Sequence, residues 1–151
     1  MSKLRALGSG FVGACALTLI HETARRALPG VAPRLDVLGM RAIKKTARAA
    51  GDQSPPAGEE LRRLALAGDI FSNSLYFSLV GVGGRRQALT CGALLGLSAG
   101  VGAVLLPGPL GLGRDASART PQTQALTVAW YVAGGLAAAT TYKLFASNSR
   151  R

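Results

Sequence analysis

The amino-acid sequence predicts an all-α integral membrane protein: one membrane domain over residues 1–151, four transmembrane helices, and a basic amphipathic surface helix in the first loop. Two observations carry that expectation. The first is where charge is missing. Residues 6–20, 70–84, 87–113 and 120–142 hold no Asp, Glu, Lys or Arg, and nearly every charge falls in the gaps between them. Helices in water carry charge along their wet face, whereas a bilayer core asks for about 20 mostly apolar residues in a helix. The second is composition: 48% hydrophobic residues, a mean hydropathy of +0.26, and 18 Lys and Arg against 7 Asp and Glu, a formal charge of +11.

Several classes are excluded at once. The chain is too apolar to stay disordered. Two cysteines fall far below the density of a disulfide scaffold, and with one histidine they do not complete a usual four-ligand zinc site. Strands are disfavoured because the blocks are rich in Gly and Ala and show no period-two alternation. Four segments are also too few for a single-chain barrel. Lipid offers no partners for backbone groups, so helices remain.

The first span is expected over residues 5–24. It is short, reaching membrane length only if Arg5 and His21 sit at the headgroups. Lys3 and Arg5 before an apolar stretch, with Val12, Gly13, Ala14 and Cys15 loosely forming a lipoprotein cleavage box, resemble a signal peptide. The apolar run continues past Cys15 to Ile20, where a mature lipoprotein would turn polar, so the segment reads as a retained helix. Pro29, Gly30 and Pro33 then break the chain. Residues 34–50 (RLDVLGMRAIKKTARAA) place Arg34, Arg41, Lys45 and Arg48 on one side of a helix, with Leu35, Ala42 and Ile43 roughly opposite. That pattern suits a helix lying in a membrane surface, with Arg34, Arg41, Lys44, Lys45 and Arg48 toward anionic headgroups. The alternative is an ordinary helix packed on the protein.

Pro55 and Pro56, followed by Glu59 and Glu60, mark the next helix start. It runs through Arg62 and Arg63 into a second span over residues 64–84, which carries Asp69, Ser72, Asn73 and Ser74. The third span, residues 87–106, is the cleanest and is stopped by Pro107 and Pro109. The fourth, residues 123–146, carries Trp130, Tyr131, Tyr142 and Phe145. Cationic loops stay cytoplasmic. Lys3, Arg5, Arg85, Arg86, Lys143, Arg150 and Arg151 fall on one side, the remaining Lys and Arg on the other, so the long first loop leans inward.

Membrane helices associate through close approach at small residues. Gly92, Gly96 and Gly100 form such a stripe on the third span, and Ser98 and Gly102 make a second small pair. The fourth offers Ala129, Ala133, Ala137 and Thr141, and the first offers Ala6, Gly10, Ala14 and Thr18. Such a glycine zipper packs the bundle internally or faces another subunit.

A hairpin of the first two spans brings His21 and Glu22 near Asp69, which lies roughly 7 to 8 Å below the end of its span at ~1.5 Å per residue. Asn73 and Tyr76 share the face of Asp69. An ionisable group in the bilayer is costly and is usually paired or functional. His21, Glu22, Asp69, Asn73 and Tyr76 are thus a candidate intramembrane polar cluster, either a transport site or a structural pair of Asp69 with His21, Arg25, Arg26 or nearby Ser and Asn side chains. No G-x-S-x-G elbow surrounds a serine, and the glycines before Arg85 lack a following Lys-Ser/Thr. No catalytic residue, metal site or cofactor is therefore assigned. Cys15 and Cys91 read as small packing residues. Few aromatics are placed for base stacking, and anionic lipid accounts for the charge, so nucleic acid is not an expected partner. The first expectation of function is a non-enzymatic accessory or assembly subunit, self-associating or docked in a larger complex of a bacterial-type inner membrane. The second is a small transporter or channel using Asp69, Asn73 and His21. The third is a membrane enzyme acting on lipid.

Overall fold

The computed structural model describes residues 2–147, which are helical with short connections and no strand among them. Arg150 and Arg151 of the charge comparison lie outside the described residues. The elements are α1 (Ser2–Ala27), α2 (Leu35–Ala49), α3 (Gly58–Ser78) with a 3-10 turn Leu79–Gly81, α4 (Gly84–Leu105), α5 (Asp115–Ala118) and α6 (Pro121–Ser147). Three helices are long and apolar enough to cross a membrane: α1, α3 with its terminal turn, and α4. The helix α6 is longer still, but its aromatic, Gly and Thr residues lower its mean hydropathy and it is not in that set.

The turn between α3 and α4 is tight because Gly84 adopts a left-handed φ of 63°, a conformation open mainly to glycine. The first two long helices pair through Gly10 of α1, which lies against the Ser74 carbonyl and 2.7 Å, measured from an added Cβ, from the Ser78 amide nitrogen. On its other side α1 meets α6, where a Cβ on Gly13 would stand 2.7 Å from the Gly134 carbonyl oxygen. The helix α6 also packs along α4, so it is covered from two sides. Leu17, Phe77 and Val80 are fully buried in the core that α1, α3, its terminal turn and α6 share with Ala88, Ala138 and Tyr142.

The glycine stripe of α4 faces α6. Gly92 abuts Gly135, a Cβ on Gly96 would lie 2.5 Å from the Tyr131 carbonyl oxygen, and one on Gly100 would lie 2.7 Å from the Val128 Cα. The stripe therefore serves a contact within the chain and is not presented to a second subunit. The register on α6 also differs from expectation. Val128, Tyr131, Val132 and Gly135 meet the glycines, while Ala129 is exposed and Ala133 and Ala137 are half-buried. Alanine spacing alone does not tell which of several small stripes a neighbour uses; the paired glycines Gly134 and Gly135 decide it, because they let two backbones approach on adjacent faces.

In its four residues α5 is too short to show a hydrophobic period, and the sequence did not foretell it. Ala116, Ser117 and Ala118 are buried. Ser117 Oγ donates to the Ala103 carbonyl at 2.6 Å, and Thr127 Oγ1 donates to the Ser117 carbonyl at 2.9 Å. Thr123 Oγ1 donates to the Val31 carbonyl at 3.0 Å. Buried hydroxyls thus tie the ends of α4 and α6 to the α1–α2 connection, each satisfied as burial requires.

Candidate functional site

Because α3 is drawn onto α1 and α4 onto α6, α3 and α4 touch little beyond their connecting turn. A cavity of about 740 Å³ opens between them, with Tyr131 of α6 as part of its lining. Its walls are mostly apolar. The polar groups come from one face of α3, where Asp69, Asn73 and Tyr76 follow at helical spacing, and from Ser98 of α4. Asn73 Nδ2 donates to Asp69 Oδ1 at 2.9 Å. The Tyr76 hydroxyl shares a 2.7 Å hydrogen bond with Ser98 Oγ and lies 3.2 Å from the Leu95 carbonyl oxygen it can donate to. This contact bridges α3 and α4 across the cleft.

Residues Leu35, Leu38, Gly39, Ala42 and Ile43 of α2 cover the other end of the cavity. Gly39 lets α2 settle on Ala65 of α3, where an added Cβ would lie 3.2 Å from the alanine Cβ. On the α4 side the roof is held by its cations. Arg41 makes a two-pronged contact with Asp115 at 2.7 and 2.9 Å and also donates to the Leu112 carbonyl at 2.8 Å. Lys45 donates to the Leu110 carbonyl at 2.6 Å. The hydrogen bond from Arg41 holds the Asp115 carboxyl below its ordinary range and raises the arginine in turn.

These contacts tie α2 to the protein, the alternative that its sequence left open. Its apolar face looks into the cavity, and three of the five cations assigned to headgroups have protein partners: Arg41, Lys45, and Arg34, which pairs with Asp36 at 2.9 Å. Burial works against the Asp36 charge, yet the hydrogen bond and charge of Arg34 keep its carboxyl below the usual range. Lys44 and Arg48 make no side-chain hydrogen bond or ion pair among the described residues and flank Arg41 and Lys45 on the outer surface.

A second cavity of about 260 Å³ lies beyond α3 and is more polar. Thr18, His21 and Glu22 of α1, Asp36 of α2, and Glu59, Arg62, Arg63 and Asp69 of α3 line it. The expected cluster is thus divided between two cavities, and Asp69 alone borders both. His21 shares the smaller cavity with Asp69 but makes no ion pair with it. Its ring packs on Trp130 and Tyr131, with centroids 5.3 and 6.0 Å away, and its Nε2 is buried without a hydrogen-bond partner. Glu22 turns instead to Arg25 at 2.7 Å and Arg62 at 3.5 Å, and Arg63 reaches Glu59 at 3.4 Å. The anticipated pairing of Asp69 with His21, Arg25 or Arg26 is absent among the described residues; the alternative pairing with an amide, that of Asn73, is present.

Sequence reasoning missed Ser98 and Tyr131 as lining residues and the α2 face as a wall. Tyr131 counted only as one of the aromatics of the fourth span, and Ser98 as one of a second small pair on the third. Among the described residues no group of three or more His, Cys, Asp or Glu is placed to hold a metal ion, and both cysteines are free. No protein-family model, curated protein or solved structure matches this chain.

Proposed function

We propose that this chain is a four-span membrane protein that binds an amphipathic small molecule in the cleft between α3 and α4, without itself catalysing a reaction. The observation that carries this reading is the cleft itself: about 740 Å³, within the range of small-molecule sites, apolar except for a few convergent polar groups. In this reading α6 is the fourth span. Thr123, Thr127, Tyr131 and Tyr142 are buried against protein, and such residues lower the mean hydropathy of a helix that lipid touches on a limited front. The long first loop faces the cytoplasm by its cations, with Lys44 and Arg48 left for anionic headgroups, and a bacterial-type inner membrane remains the setting we favour. A subunit role in a larger complex draws no support from the glycine stripe, which is occupied within the chain.

The test uses the purified full chain in lipid nanodiscs and the neutral, environment-sensitive probe N-phenyl-1-naphthylamine. Ala99→Trp, on the cleft wall, should weaken saturable binding by about tenfold, the effect of ~1.4 kcal/mol. Leu94→Trp, on the exposed outer side of α4, should leave it unchanged. Equal binding by Ala99→Trp and the unsubstituted chain would sink the proposal, as would binding no greater than to protein-free discs.

A further inference from the structure

The chemical class of the ligand can be taken one step further, on the footing that the cleft is a binding site. The cleft wall carries one carboxylate, Asp69, half-buried and bordering both cavities. Asn73 Nδ2 is its side-chain partner, at 2.9 Å, and an amide supplies a dipole but no counter-charge. No Lys, Arg or His lies within ion-pair distance of Asp69 among the described residues. The cations that share the smaller cavity are committed elsewhere, Arg62 to Glu22 at 3.5 Å and Arg63 to Glu59 at 3.4 Å. A carboxylate withdrawn from water gains most from a partner of opposite charge, and within the chain none reaches it. Around it stand groups that suit a cation carrying an apolar body. Tyr76 and Tyr131 are among the residues lining the same cavity. Leu35, Leu38 and Ile43 of the α2 roof and Leu106, just past the end of α4, supply hydrocarbon.

We propose that the cleft between α3 and α4 takes a lipophilic organic cation, its charge met by the Asp69 carboxylate and its body by the apolar walls and α2. The smaller cavity gives that charge a second, polar border through Asp69, where His21, Glu22, Asp36 and Glu59 also lie, the three acidic groups paired with Arg25 and Arg62, with Arg34, and with Arg63 in turn.

Three probes of similar bulk decide it, measured on the full chain in zwitterionic nanodiscs with partition into empty discs subtracted. They are tetraphenylphosphonium, a monovalent cation; tetraphenylborate, its anionic isostere; and triphenylmethanol, which is neutral. The cation should bind at least about tenfold more tightly than the anion. Asp69→Asn should remove about that factor from the cation and leave triphenylmethanol unchanged, while Asp69→Glu restores part of it. The comparison of cation with anion needs no variant, so a poorly folded Asp69→Asn chain does not protect the proposal. Saturable binding of all three probes with similar affinity overturns the cation assignment and leaves the cleft as a binding site. Saturable binding of none, together with no binding of the naphthylamine probe, removes the cleft reading itself.

Discussion

Gly96→Ala asks most sharply what the α4 glycines do. The added Cβ would stand 2.5 Å from the Tyr131 carbonyl oxygen and 2.5 Å from the Val132 Cα, and ordinary van der Waals contact begins at 3.4 Å. The obstacles are backbone atoms of α6, not the ends of flexible side chains, so α4 and α6 must part by roughly 0.9 Å at that point or tilt. Overpacking of this kind costs about 1–3 kcal/mol, and the upper half of that range applies where backbone blocks relief. Two substitutions on the same plan serve as references. Gly102→Ala meets only a Leu106 methyl at 3.5 Å, and Gly68→Ala meets nothing within 4 Å. Relieved of glycine in a helix, each should be neutral or more stable by up to about 1 kcal/mol. Reversible unfolding in mixed micelles, with the apparent mass followed in parallel, reads the result. Gly96→Ala should lose stability at unchanged mass. If it instead keeps its stability and changes its oligomeric mass, the assignment of the stripe to an internal α4–α6 contact is wrong.

Two further outcomes are expected. Asp115→Asn should loosen the roof, raising hydrogen exchange in α2 by roughly a few-fold, as befits an exposed ion pair, with little change in α4. The Asp115 carboxyl is lowered from an ordinary value of 3.8, so its contribution is complete above that value and is lost as pH falls through the lowered one. Exchange in α2 of the unsubstituted chain should therefore rise only below about pH 4, and a rise already at neutral pH would contradict the latch. Topology separates four crossings from three. In a Cys15→Ala, Cys91→Ala background, Lys3→Cys and Lys143→Cys should be labelled by an impermeant maleimide from the same side of sealed vesicles. Labelling from opposite faces would mean that α6 does not cross.

Much of the helical plan was legible because charge is the strongest mark a bilayer leaves on a sequence. The gaps in charge located α1, α3, α4 and α6, and Pro55 and Pro56 located the start of α3. What escaped was which faces meet. Gly92, Gly96 and Gly100 advertised close packing, but a small-residue stripe fits an internal helix and a foreign one equally well. For the site, helical spacing sufficed to put Asp69, Asn73 and Tyr76 on one face of α3, a local matter. Whether His21 bonds Asp69 depends on the roll of α1 about its axis. Gly10 and Gly13 set that roll by fitting α3 and α6 together, and His21 is left against Trp130 and Tyr131. The amphipathic pattern of α2 was legible, but it does not tell lipid from a protein cavity as the apolar medium. Asp115, far along the chain, holds Arg41 and so ties α2 to the segment between α4 and α6.

The cleft follows from the same distribution of small residues. Gly10 lets α1 reach α3, Gly13 and Gly134 let α1 reach α6, and three glycines of α4 let it reach α6. Each long helix is thereby fixed on partners other than the α3–α4 pair. The facing surfaces left over are Ser72, Asn73 and Tyr76 on one side and Ser98, Ala99, Gly102 and Ala103 on the other. The α4 side is made of small residues with no helix set against them. In a bundle stabilised by contact alone, such a surface would be expected to draw α3 in, since van der Waals contact is what membrane helices gain by associating. Two groups oppose that closure. Tyr76 stands between the helices with its hydroxyl on Ser98, and closing α3 onto Ala99 and Ala103 would press the Asp69–Asn73 pair against hydrocarbon on the cleft side, leaving Asp69 only its border on the smaller cavity. A carboxylate driven against hydrocarbon without a counter-charge costs more than the added contact returns. The polar face of α3 therefore keeps the cleft open, and the same residues that prevent the helices from closing are those a ligand would meet inside it.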